Sequence, residues 1–303
     1  MAGGTGKNRQ GFGDGLATAG HAIIADARKA LTDPQSSDAE AVHDLRKALK
    51  RWRALMRLLV GPLGEPADQM RREARALMRE LAGARDVQSA LDALADLGKG
   101  NLGKGKVTIS PTSLKTIHRR LTELRDAAEK TGFTPEMRER LTQYLDFADL
   151  SLERWPLREI EFDTIADALT ATYRRARQLV PEDWHACEPE HLHDLRRRVV
   201  EHRHQMDLIE PLWPRLGQLW AEEAQRLRNQ LGACQDLAVL TNMMAPHQPV
   251  APWRSRLVPA IEARRAMHLN NASRLASRLF AEKPKAFRAR IAALWTARRQ
   301  RNQ

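Results

Sequence analysis

The chain has 303 residues, 42% of them hydrophobic, so it is long enough for one large domain or two ordinary ones, and global disorder is excluded. Fifty Lys and Arg stand against 38 Asp and Glu, and the resulting charge of +12 points to an anionic partner: nucleic acid, an acidic membrane surface or a phosphate polymer. Two cysteines, Cys187 and Cys234, sit in no CxxC or zinc-like spacing, which excludes a disulfide framework and argues for a reducing compartment.

In chain order, residues 1–15 are Gly-rich with no apolar core, so they are expected to be a flexible N-terminus rather than a signal peptide. Helical periodicity then predicts helices over 16–31, 38–60, 66–97, 113–130 and 135–154. A second series is predicted over 162–180, 188–210, 214–244, 253–280 and 285–299. Pro and Gly punctuate the joins, among them Pro34, Pro62, Gly64, Pro156, Pro181, Pro211 and Pro284. The Gly-Lys stretch over 98–111 is the one long loop expected. No segment alternates as a strand does, and no apolar run approaches the roughly 20 residues that span a bilayer. A soluble, cytoplasmic, all-α protein is the expectation.

The two series are related. VHDLRKALKRWRALMRLL from Val42 aligns without a gap with LHDLRRRVVEHRHQMDLI from Leu192, and LAGARDV from Leu81 aligns with LGACQDL from Leu231 at the same offset. Two matches at one spacing indicate a tandem duplication. The economical architecture is two helical bundles, 16–155 and 156–303.

The helix over 38–60 has a divided surface. With His43 at zero and about 100° per residue, Lys47, Lys50, Arg57, Arg46 and Arg53 fall between about +40° and −80°. Leu45, Leu49, Trp52, Met56 and Leu59 occupy the opposite side, so the helix pairs a packing face with a cationic one. A solvated face ordinarily mixes acids with bases, because like charges at i, i+4 repel. A face with no acid suggests an anion that relieves the repulsion. Arg grips two phosphate oxygens at once, Lys supplies a compact charge, and His donates when neutral and gains charge below its pKa. The row is about 20 Å long, a shape suited to a linear polyanion. Its one aromatic, Trp52, lies on the apolar side, whereas single-strand nucleic-acid binders interleave aromatics for base stacking. In the second copy His193, Arg196, Arg197, Arg203 and His204 repeat the stripe, but Val200 and Asp207 interrupt it where the first copy has Lys50 and Arg57, so weaker binding is expected there.

These motifs, with TYRRARQLV before the second copy and RLRNQLGACQDLAVL after it, resemble the conserved-histidine α-helical (CHAD) family from about Leu16 to Arg299. The resemblance implies two pseudo-symmetric four-helix bundles whose basic helix faces meet in a central groove or pore. It implies non-enzymatic binding of inorganic polyphosphate, with polyphosphate-metabolising enzymes or granules as associates. Carried over by position, the ligand candidates are His43, Arg46, Lys47, Lys50 and Arg53, with His193, Arg196, Arg197 and Arg203. Arg174, Arg175 and Arg177 in the YRRAR helix, and Arg28 and Lys29 in its counterpart, rank second.

Other readings weigh less. GKGNLGKGK (98–106) nearly spells a P-loop but lacks the closing Ser or Thr and the following helix. Divalent metal binding through the histidines stays as an alternative, but His191 with His193, and His202 with His204, are i, i+2 pairs that diverge on a helix, unlike a zinc-binding i, i+4 pair, so the first expectation is no metal or cofactor. No nucleophile elbow or paired-carboxylate constellation marks an enzyme. Specific nucleic-acid recognition is not expected, although the tail ARRQRNQ keeps nucleic acid as the runner-up. Ala82, Gly83, Gly232 and Ala233 are expected to let helices approach closely, and Asp86 and Asp236 to cap a following helix or orient basic side chains.

Overall fold

A computed structural model describes residues 11–81, 85–99, 110–129 and 133–301. Among these residues the structure is helical with no strand: α1 (Phe12–Thr32), α2 (Asp38–Leu63), α3 (Glu65–Glu80), α4 (Arg85–Lys99), α5 (Pro111–Glu129), α6 (Pro135–Arg154), α7 (Phe162–Gln178), α8 (Pro189–Ile209), α9 (Pro214–Asn242), α10 (Arg254–Leu279) and α11 (Pro284–Arg301). None of the described helices is long and apolar enough to cross a membrane.

Residues 12–15 of the stretch expected to be a flexible N-terminus are helical. Helix α1 starts at Phe12 because the Gly11 amide donates to the Asp14 carboxylate at 3.1 Å, closing a cap that the Gly-rich composition hides. Gly13 then lies so close to the 157–159 turn that a Cβ there would fall 1.9 Å from the Leu157 carbonyl oxygen. Helix α2 begins with a reciprocal cap: the Ser37 hydroxyl accepts from the Glu40 amide at 3.3 Å, and the Ser37 amide donates back to Glu40 at 2.9 Å. It runs through Pro62 and stops at Gly64, whose φ of +66° suits glycine.

The helix expected over 66–97 is two helices, α3 and α4, whereas the equivalent stretch of the second copy is the unbroken α9. Arg46 accompanies the break, donating to the carbonyls of Met78 at 2.7 Å and Leu81 at 3.1 Å at the end of α3. Its repeat equivalent Arg196 donates instead to the Gln235 side chain at 2.8 Å. The first copy has Arg85 where the second has Gln235, and a guanidinium offers no acceptor. Asp236 lies inside α9 and so caps no following helix, while Asp86 sits in the first turn of α4, where it complements the helix dipole. Ala82, Gly83 and most of the 98–106 Gly-Lys segment lie outside the described residues.

The larger buried cluster takes residues from both copies, from Leu16 to Ile291, including Leu45, Trp52, Leu55 and Met56 with Leu195, Val199 and Met206. A smaller one joins Leu94, Leu97 and Leu121 to Leu237, Leu240 and Leu257. Helix α2 packs against α7 and α8, and α4 against α9, so the copies share their interior. Trp52 is 2% exposed, and its Nε1–H donates to the Tyr144 hydroxyl at 2.7 Å, which donates in turn to the Met70 carbonyl at 2.8 Å. This buried chain fixes α2, α6 and α3 against one another. Tyr144→Phe removes the hydroxyl and leaves a donor and an acceptor unpaired in the core, so we expect a loss of about 1–3 kcal/mol. It is measurable as a melting temperature lower by several degrees with unchanged helicity.

Candidate anion-binding face

Helix α2 lies between α3 and α8, and this arrangement brings basic side chains of both copies onto one face. On α2, His43 and Lys47 are exposed; Lys47 has no hydrogen-bond or ion-pair partner among the described residues. Lys50, Arg53 and Arg57 are half-buried towards the neighbouring helices. From α8, Arg197 is exposed, while His193 and Arg196 are half-buried. Gly232 of α9 leaves room for Arg196: a Cβ there would meet its Nε at 3.4 Å. The neighbour there is a side chain at ordinary van der Waals distance, not the backbone of another helix.

Helix α3 contributes a group that the reading of the motifs passes over. Arg71, Arg75 and Arg79 fall at i, i+4 and i+8, one stripe of a helix with no acid interposed. That spacing was the available signal. The second copy has Ala221, Gln225 and Asn229 at the equivalent positions. Arg75 is held below its ordinary value first by the like charge of Arg197 across from it, then by desolvation and by Arg79 and Arg71. Arg53, beneath them, is pushed down to about 10, mainly by burial; Arg71, Arg197 and Arg75 push it further, against the opposing pull of Glu201. Both guanidiniums keep their charge at neutral pH; like charge is the largest influence on Arg75, and burial is the largest on Arg53.

Neutralisation on this face is partial and comes from a few acids. Glu201 of α8 accepts from Arg57 Nε at 2.8 Å and from Arg198 Nη1 at 2.9 Å. Burial alone would raise its pKa, but the charges and hydrogen bonds of Arg57 and Arg198 outweigh burial and hold it below the usual range. The α2 stripe therefore has an acid after all, supplied by the other copy. Arg71 bonds Asp68 at 2.6 Å within α3, Arg197 bonds Asp194 at 3.0 Å, and Arg203 lies 3.9 Å from Asp207.

Other expected members stand on α1 and α7. Arg28 is tied to Asp149 at 2.7 Å and Asp146 at 2.8 Å on α6. Lys29 is exposed on α1, and Arg174 and Arg175 are exposed on α7. Arg177 Nε donates to the Phe280 carbonyl at 3.1 Å. Helix α7 lies behind α8: Tyr173 meets the buried ring of His202 at 5.7 Å between centroids, and His202, nine residues on, points the opposite way from His193. His204, expected on the second stripe, is also buried. Burial drives the His202 pKa down to about 4, so this imidazole is neutral at physiological pH. Among the described residues no group of three His, Cys, Asp or Glu side chains is placed to hold a metal ion.

Glu201→Gln tests the counter-ion. Because the folded carboxyl sits below the ordinary value of 4.5, its stabilisation is full above about pH 4.5 and is lost as pH falls through the lower folded value. We expect the variant to lose on the order of 2–3 kcal/mol at pH 7, the low end for a broken buried pair because Gln keeps an acceptor. Denaturant titrations of the two proteins should converge only once the pH has fallen below that folded value.

Comparison with known proteins agrees with this architecture. The chain matches the crystal structure of the CHAD domain from the plant Ricinus communis with a TM-score of 0.58 over 93% of this chain and 92% of that one, at 14% identity. No curated protein sequence matches. Residues 18–245, from α1 through α9, match the family model of the CHAD domain. The chain belongs to the CHAD family.

Proposed function

We propose that this protein binds linear phosphate polymers, inorganic polyphosphate first among them, on the α2–α3–α8 face, and that it does so without catalysis. The observation that carries the reading is the convergence of Arg53, Arg71, Arg75, Arg79 and Arg197 from three helices and both copies, with exposed Lys47 beside them and like charge in excess. A polyanion relieves that repulsion at each guanidinium it meets, and arginine forks suit phosphate oxygens. The second copy, without cations at 221, 225 and 229 and with Val200 in place of Lys50, serves this face mainly through Arg197 and the counter-ion Glu201. Inorganic polyphosphate, with the enzymes and granules that handle it, is the expected partner, and a cytoplasmic location follows from that role. The same face offers no stacking platform for bases, since Trp52 is buried beneath it, so a nucleic-acid reading of this face is disfavoured.

The test is a titration of long-chain polyphosphate and of tripolyphosphate at physiological salt. We expect the long polymer to bind at least tenfold more tightly, with affinity falling steeply as salt rises; the slope of about 0.9 per phosphate contact known for duplex DNA gives the scale. Lys47→Glu with Arg75→Glu should reduce affinity at least a hundredfold without changing helicity or melting, whereas Lys29→Glu should leave it within twofold. Tight binding retained by the folded double variant would sink the assignment.

A further inference from the structure

The net charge is not where the candidate face is. Residues 246–303 contain thirteen Lys and Arg and only two acids, Glu262 and Glu282, a net of +11 out of +12 for the whole chain. Residues 1–245 are nearly neutral, although they hold every cation of the α2–α3–α8 face. The basic character that first pointed to an anionic partner therefore belongs almost wholly to α10, α11 and the turn between them.

Part of this charge is already engaged. Arg264 is bound by Asp96 at 2.6 Å, Arg288 by Asp163 at 3.3 Å, and Arg290 by Glu282 at 2.5 Å. Arg256, Arg274, Arg278, Lys283 and Lys285 are exposed and have no partner among the described residues. On α10 the first three share a side. Arg274 lies 18 residues, five full turns, beyond Arg256, and Arg278 is one turn further. The opposite side of α10, with Leu257, Ile261, His268 and Ala272, is buried against the protein. Between the arginines the outward side carries Ala263, Met267 and Asn270 and no acid. On its flank, the loop before α8 meets Asn270 through His185 at 3.1 Å, and Asp183 there is occupied by the amides of His185 and Ala186.

We infer that the outward side of α10, with the Lys283–Lys285 turn, is a sequence-independent docking surface for duplex nucleic acid, separate from the α2–α3–α8 face. The spacing selects the partner. Arg256 and Arg278 are about 33 Å apart along the axis, close to one turn of duplex at about 34 Å. On that outward side no cation stands between Arg256 and Arg274, because Arg264 turns to Asp96 and Arg265 to the Cys187 carbonyl. A stiff rod meets widely separated charges at no extra ordering cost, whereas a flexible phosphate chain would be stretched across the interval without contacts. The side has no exposed tryptophan on which unpaired bases would stack, which favours the duplex over a single strand. Met267 is the one large apolar side chain that α10 exposes on this side, so an acidic membrane would gain little beyond charge contacts.

The experiment measures fluorescence anisotropy of a labelled 20-base-pair duplex, and separately binding of long-chain polyphosphate. The proteins are the wild type, Arg274→Gln/Arg278→Gln/Lys283→Gln, and Lys47→Glu/Arg75→Glu. All five altered side chains are exposed, and the three α10-side substitutions are also made singly. We expect the triple variant to lose at least tenfold in duplex affinity, with a salt slope smaller by about 2–3, and to keep polyphosphate affinity within twofold. The double variant should behave the opposite way. A wild type that does not bind duplex, a triple variant that binds it undiminished, or equal loss of both ligands in the triple variant would each overturn the inference. A wild type that binds duplex through α10 but no polyphosphate would uphold it and overturn the preceding proposal alone.

Discussion

The cationic face depends on one buried carboxylate. Two helices that each carry a row of bases cannot lie side by side unless something between them supplies negative charge, and Glu201 supplies it by bonding Arg57 of one copy and Arg198 of its own. Isolated in the interior, that carboxylate would be expensive to ionise; flanked by two guanidiniums it stays charged. The pair lets α2 and α8 share an apolar interior while their remaining cations turn outward. Arg53 sits beside it under the opposing influences of that acid and of three neighbouring arginines.

The two copies have taken different parts in this arrangement. The first supplies most of the exposed charge, because α3 adds Arg71, Arg75 and Arg79 to the α2 row. The second has neutral residues at those positions and contributes the counter-ion. A related difference separates Arg46, which bonds the last carbonyls of α3, from Arg196, which bonds a side chain on an uninterrupted helix. Arg71, Arg75 and Arg79, aligned with Ala221, Gln225 and Asn229, carry the difference on this face.

The sequence discloses helix existence and the repeat well, because both rest on periodic burial: the apolar side of 38–60 is the buried side of α2, down to Trp52 at 2% exposure. Helix ends are less legible where they depend on contacts far away in the chain. The start of α1 rests on an Asp14 cap and on Gly13 fitting against Leu157, and the break after α3 coincides with bonds from Arg46; neither contact is periodic. The candidate face is legible only as rows on single helices. That Glu201 would enter the α2 row, that α3 would flank it, and that Arg28 would be tied up by α6 are properties of packing between helices, which one helix's charge pattern does not encode. Total charge was the least local signal, and it reported on α10 and α11 rather than on the rows it was first joined to.

The meeting of the first and last helices has a consequence for how the chain is made. Phe12 of α1 packs edge-on against Phe162 and against Trp295 of α11, with centroids 4.9 and 5.5 Å away. A ribosome extending the chain by about 5–20 residues per second needs on the order of 15–60 s to travel from one partner to the other. For that interval the beginning of α1 lacks its final neighbour, and the nascent protein presents an uncovered aromatic that a chaperone would recognise. Closure of this seam waits until α11 has been made, so a chain released near α10 would keep it open.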